Sequence, residues 1–238
     1  MNISLRPNIK NRLLSLLPRE EMIAICRDTE PVDLPRSMVV ATPDEPVDHV
    51  YFPNSGILSV IAISPQGNRA EAGLFGRDGF SPTCAALGID RSALEVFVQV
   101  PGEGLRLPYP SFLAALERSS EFRSLLLKFV HCLAIQTAFT SLSNAVHQID
   151  KRLARWLLMC HDRTESDEIA LTHEFISLML AVRRPSVTTA LHELEGSGFI
   201  RAERGYLTIR NRIGLEAFAA DAYGQPEREY QRLIGPIL

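Results

Sequence analysis

Apolar and polar positions change their period twice along the chain, and each change marks a new kind of element. Over residues 1–30 the spacing is helical: Leu13, Leu14, Leu16 and Leu17 precede Pro18, and residues 20–26 form a second short amphipathic piece. From Val32 the pattern shortens to β-type runs at 32–34, 38–40, 50–52, 57–63, 70–75, 94–100 and 105–107. Prolines and glycines at Pro31, Pro35, Pro46, Pro53, Gly56, Pro65 and Gly67 punctuate them. That many short strands, closely spaced, predict an antiparallel jelly-roll barrel.

At Ser111 the helical period returns, and no proline or glycine interrupts the chain to about Val146. Phe122, Leu125, Phe129 and Cys132 form one stripe of this helix, and Leu126, Val130, Leu133 and Thr140 form its neighbour. A helix apolar over two stripes must bury both. One stripe is expected on the barrel and the other on a second copy of the chain, through Leu126, Phe129, Val130, Leu133, Thr137 and Thr140. A hinge is expected over 144–148, then an amphipathic helix over 149–161 with Leu153, Trp156 and Leu157 inside, and a polar linker over 162–169.

Residues 171–200 read LTHEFISLMLAVRRPSVTTALHELEGSGFI. Thr172 is placed to cap a helix, with Leu171 and Ile176 as a hydrophobic staple, and Ile176, Met179 and Leu180 continue at helical spacing. A second helix begins at Arg183, Arg184 and Pro185, where a first-turn proline does no harm. Val187, Ala190, Leu191 and Leu194 make its inner stripe, while Ser186, Thr188, Thr189 and His192 are left for an outer face. Gly196 and Gly198 stop it, and a hairpin follows: Phe199 and Ile200, a turn at Glu203, Arg204 and Gly205, then residues 206–209. Two short helices, the second led by arginines, followed by a wing, predict a winged helix-turn-helix.

At these residues the chain resembles the CRP/FNR superfamily, whose pattern has an LT start, an arginine-led recognition helix, L-x-x-L-x-x-x-G-x-I and a wing. The resemblance implies a homodimeric regulator that reads a pseudo-palindromic double-stranded DNA operator and works with RNA polymerase. It implies DNA contacts by Thr172, Arg183, Arg184, Ser186, Thr188, Thr189 and His192. Arg184 matches the first of the family's base-reading residues, but Pro185 stands where the family has Glu and Thr189 where it has a second Arg. The docking mode therefore carries over and the base sequence does not.

In the family's cyclic-nucleotide barrels a Gly-Glu turn takes the ribose and an Arg-Ser or Arg-Thr pair takes the phosphate. Gly76, Arg77 and Asp78 fall where the first belongs, and Arg91 with Ser92 resembles the second. The glutamate is missing unless Asp78 replaces it, and the spacing to Arg91 is several residues too long. No cyclic nucleotide is therefore expected, and the effector is left open.

Composition changes this picture little. The net charge of −3 over 238 residues excludes a protein that coats nucleic acid through bulk positive charge. Cys26, Cys84, Cys132 and Cys160 are scattered without a CxxC pair, so neither a zinc site nor an iron–sulfur cluster is expected. His49 is the only histidine in the barrel, and no GxSxG, Walker or HExxH motif occurs, so no catalytic or metal site is expected. No apolar span of membrane length is expected, and the protein is placed in the cytoplasm. The expected α+β architecture is a jelly-roll sensor over 1–110, a dimerisation helix and hinge over 111–148, and a winged helix-turn-helix domain over 149–238. Two alternatives stand beside it: a regulator whose barrel binds no small molecule and acts through protein contacts, and a barrel enzyme with an accessory nucleic-acid domain.

Overall fold

The computed structural model describes residues 9–237; the helical reading of residues 1–8, and residue 238, lie outside it. The chain opens with α1 (Arg12–Ser15), whose N-cap Asn11 accepts the Leu14 N–H, and α2 (Arg19–Cys26). Seven strands follow: β1 (Glu30–Leu34), β2 (Val39–Ala41), β3 (His49–Pro53), β4 (Ile57–Ile63), β5 (Arg69–Phe75), β6 (Glu95–Val100) and β7 (Gly102–Pro108). They form two antiparallel sheets, in the order β1-β7-β3 and β2-β6-β4-β5. Between β5 and β6 lies a 3₁₀ turn (Thr83–Leu87) that the strand pattern did not foresee. A chain of rings joins the barrel to the helices that follow it: Phe52 and Phe80 meet Phe112, Phe122 and Phe129 with centroids 5.5–6.3 Å apart.

The expected single helix from 111 is two, α3 (Tyr109–Arg118) and α4 (Ser120–Val146). Ser119 breaks it by leaving helical geometry (φ −122°) and turning its hydroxyl to the Phe122 N–H. Serine side chains compete for the backbone in this way, so no proline or glycine is needed for a break. The expected absence of a membrane-length apolar span is also corrected, because α4 is long and apolar enough by length and composition. Only 22% of its most apolar stretch is buried within the protomer.

The remaining elements are α5 (Ile149–His161), β8 (Glu168–Ile169), α6 (His173–Met179), α7 (Arg184–Gly196), β9 (Ile200–Glu203), β10 (Tyr206–Ile209), α8 (Arg212–Ala219), a 3₁₀ turn (Ala220–Ala222) and α9 (Gln225–Leu233). The wing is a three-stranded sheet in the order β8-β10-β9, with β8 lying inside the stretch expected to be a linker. The eight residues of α5 from Leu153 to Cys160 are all buried. One side of α5 packs on α7 and α8; the other shares a core with Ile57, Ile61, Leu74 and Phe97 of the barrel. After α8 the chain returns to the barrel, where Tyr230 and Ile234 join the first core. The cores therefore do not divide at the boundary expected at 149.

Two buried charges seal this junction. Arg163, just past α5, meets Asp78 of the barrel at 2.9 Å, with side chains 3% and 1% exposed. Burial alone would make the Arg163 guanidinium easier to deprotonate, but Asp78, Asp162 and Glu227 together hold it above its usual range. Removing one partner of such a pair strands the other charge in the interior. Asp78→Ala is expected to lower stability by about 3–5 kcal/mol in urea unfolding, and Asp78→Leu combined with Arg163→Met to cost clearly less.

Candidate nucleic-acid interface

The helix-turn-helix is built by short-range rules. The Thr172 hydroxyl accepts the Phe175 N–H at 3.2 Å and starts α6. Ile176 and Met179 are buried, and the turn closes at Ala181, which takes a left-handed φ of 51°. Arg152 of α5 donates to the Leu180 carbonyl, tying the turn to the body of the domain. Arg183 is the N-cap of α7 and Pro185 sits in its first turn. Val187, Ala190, Leu191 and Leu194 are buried, as the spacing required.

The opposite side of α7 is open. Arg183, Arg184, Thr189 and His192 are exposed, and Ser186 and Thr188 are half-buried. Neither guanidinium is held by an ion pair or side-chain hydrogen bond among the described residues, so both are free to meet an outside acceptor. The Thr188 and Thr189 hydroxyls donate back to the Arg184 and Pro185 carbonyls, each at 3.2 Å. Their protons are thus committed, and what they offer outward is a methyl group and an oxygen acceptor. Thr188 also lies 3.4 Å from His173 Nδ1, which links the two helices. The wing adds exposed Arg204 and Arg210, and Arg201 paired with Glu203. Thr172 spends one hydroxyl lone pair on the cap, and on this exposed residue the O–H proton is left to meet an outside acceptor.

The expected effector residues do not converge. Asp78 is buried; its Oδ1 accepts the Gly76 N–H at 2.6 Å, and its carbonyl accepts the Tyr230 hydroxyl at 2.7 Å. Arg77 faces Glu165 at 2.9 Å. Arg91 donates instead to the Asp44 carbonyl, and the Ser92 hydroxyl closes a local turn with Leu94. The glycines of this loop are explained by close packing. A Cβ on Gly79 would collide with the Phe129 ring, and one on Gly76 would stand 2.7 Å from the Gly56 carbonyl oxygen.

The expected dimer residues also separate. Leu126, Phe129 and Leu133 are buried in the protomer's own core, leaving no surface for a partner, while Val130, Thr137 and Thr140 are half-buried. The open face of α4 carries Leu127, His131, Ala134, Ala138, Ser141 and Ala145. Two positions that local spacing could not reveal as functional are Arg152, which holds the turn, and Glu71, which meets Trp156 of α5 at 2.7 Å. Among the described residues no three His, Cys, Asp or Glu side chains are grouped as metal ligands would be.

Comparison with known proteins agrees with this geometry. Residues 151–218 match the family of Crp-like helix-turn-helix domains. FixK2 from Bradyrhizobium japonicum has a similar fold (TM-score 0.67, 16% identity, covering 81% of this chain and 98% of that one). So has a CRP family transcriptional regulator from Thermus thermophilus (TM-score 0.66, 16% identity, 81% and 98% covered). A third is the c-di-GMP responsive regulator CLP from Xanthomonas campestris (TM-score 0.64, 15% identity, 81% and 99% covered). No curated protein sequence matches the chain.

The strained turn gives a test of how the site is held. An L-residue in the left-handed region costs roughly 1–2 kcal/mol, part of which glycine returns as unfolded-state entropy. Ala181→Gly is expected to raise the stability of the helical domain by about 0.5–1 kcal/mol in thermal unfolding.

Proposed function

We propose that this chain, a transcription regulator of CRP/FNR type, binds double-stranded DNA as a homodimer and reads a pseudo-palindromic operator with α7 in the major groove. The observation that carries this reading is the outer face of α7, where two unpaired arginines stand at the helix start and the inner face is fully buried. Arg184 has the fork that matches guanine O6 and N7. Arg183, at the cap, meets backbone phosphate, which positions the helix without choosing a sequence. Thr188 and Thr189 offer methyl groups suited to thymine.

The dimer is proposed to form through the open face of α4. Ser124, His131, Ala138 and Ala145 recur every seventh residue, as do Leu127, Ala134 and Ser141 three places on. This is the spacing of a two-helix seam, and its small residues permit close approach. Such a dimer would set the two α7 helices about one DNA turn (~34 Å) apart. In this reading RNA polymerase is a further partner and the protein works in the cytoplasm.

A second reading of the barrel, that it binds no small molecule, is favoured by the commitment of Asp78 to Arg163 and of Arg91 to Asp44.

Competition binding to a randomised duplex pool at two salt concentrations tests the base reading. Arg184→Ala is expected to cost about 1–3 kcal/mol on the selected sequence and relax preference at one guanine per half-site. Arg183→Ala should weaken all sequences alike and reduce the salt slope. The reverse pattern would mean that Pro185 shifts the register by one residue. Ala138→Glu, at an exposed position, should leave the protomer folded but monomeric in sedimentation and unable to select a two-half-site operator.

A further inference from the structure

The contact between the helix-turn-helix domain and the barrel is apolar except at a few points, and one of these is incompletely satisfied. Ile57, Ile61, Leu74 and Phe97 meet Leu153, Leu157 and Cys160 in one core, and β5 projects Glu71 into the same contact, 6% exposed. Glu71 Oε1 accepts the Trp156 indole N–H at 2.7 Å, whereas Oε2 is buried without a hydrogen-bond partner. An ionised carboxylate here would hold an oxygen's charge with no donor, in surroundings that stabilise charge poorly.

The neighbours on each packed element leave Oε2 without a donor. From β4, Ser59 lies beside Glu71 but gives its only hydroxyl proton to Gln99 Oε1 at 2.6 Å, so toward Glu71 it acts as an acceptor. From β6, Gln99 turns its amide to Cys160 Sγ at 3.6 Å. From α5 come Trp156, the buried thiol of Cys160, and Arg155, whose Nη2 points to the Gln136 carbonyl at 3.4 Å. Arg163, beyond α5, is taken by Asp78. From α4, Gln136 is engaged by the Leu74 N–H, and α6 contributes the apolar Ile176 and Met179.

We propose that Glu71 is a proton-operated latch: protonated, it holds the helix-turn-helix domain on the barrel, and ionised, it lets α5 part from the sheet. The proton would sit on Oε2 and be donated to Ser59, completing the network. Burial raises this carboxyl from 4.5 to about 7, against the opposing pull of the Trp156 hydrogen bond and of Arg155 and Arg163. Because the docked value is the raised one, docking is fully favoured below 4.5 and weakens as the pH rises through about 7. A shift of that size corresponds to a change on the order of a hundredfold in the ratio of docked to released forms.

The latch goes beyond DNA reading, and its test needs no DNA. Trp156 is the only tryptophan in the chain, so acrylamide quenching of its fluorescence reports on the contact directly. In the full-length protein, quenching should rise several-fold from mildly acidic to mildly alkaline pH, with a midpoint between 4.5 and about 7 and unchanged far-UV dichroism. Glu71→Gln, which keeps the acceptor for Trp156 and gains a donor for Ser59, should stay protected throughout. Ser59→Ala, which removes the acceptor for the protonated form, should move the midpoint to lower pH. The latch is overturned if wild-type quenching is flat, if Glu71→Gln follows the wild-type course, if Ser59→Ala leaves the midpoint in place, or if helical signal is lost along with protection.

Discussion

The structure depends on α5 being buried on every side. A helix with eight consecutive buried residues cannot be satisfied by its own small domain, and the barrel's outer sheet supplies the missing cover. Everything unusual at the junction follows from this demand. Arg155 and Arg163 are carried into the interior because they lie on or just beyond a helix that has no wet face, and buried charges need partners. Asp78 supplies one, which is why the loop at Gly76 to Gly79 is closed around protein groups. The return of α9 to the barrel, with Tyr230 bonded to the Asp78 carbonyl, covers the same pair from the other side.

The sequence disclosed the elements that are decided locally. Thr172, Pro185 and the stripe from Val187 to Leu194 define two helices and their turn without reference to the rest of the chain, and the structure has them there. The alternating runs of the barrel were equally legible. What spacing could not disclose was which neighbour an apolar face meets. The stripe containing Leu126 and Leu133 was read as facing a partner, but it packs on the barrel, and the face left open carries, beside Leu127 and His131, mainly alanine and serine, which give little hydrophobic signal. Gly76 fell where the family's barrels place a ligand turn, and spacing could not decide its use, because a close approach to protein and a close approach to a ligand demand the same residue. Glu71 and Trp156 lie 85 positions apart, so no local pattern could join them.

Function follows from what this packing leaves outside. The inner face of α7 is spent on α5, and its outer face keeps two unpaired arginines and two threonines whose hydroxyl protons are already used. A rigid mount of this kind suits base reading, where contacts count only if the helix is held in register. The tie from Arg152 to the Leu180 carbonyl serves the same end.

The central claim, that the helix-turn-helix domain shares a core with one sheet of the barrel, is tested most directly by native-state hydrogen exchange on the acid side of neutrality. The account predicts that the amides of α5 and those of β4 and β5 open only together, with a common free energy, as one cooperative unit. Exchange of α5 at a distinctly lower free energy than the strands would contradict it, because the domain would then be riding on a hinge rather than built into the barrel.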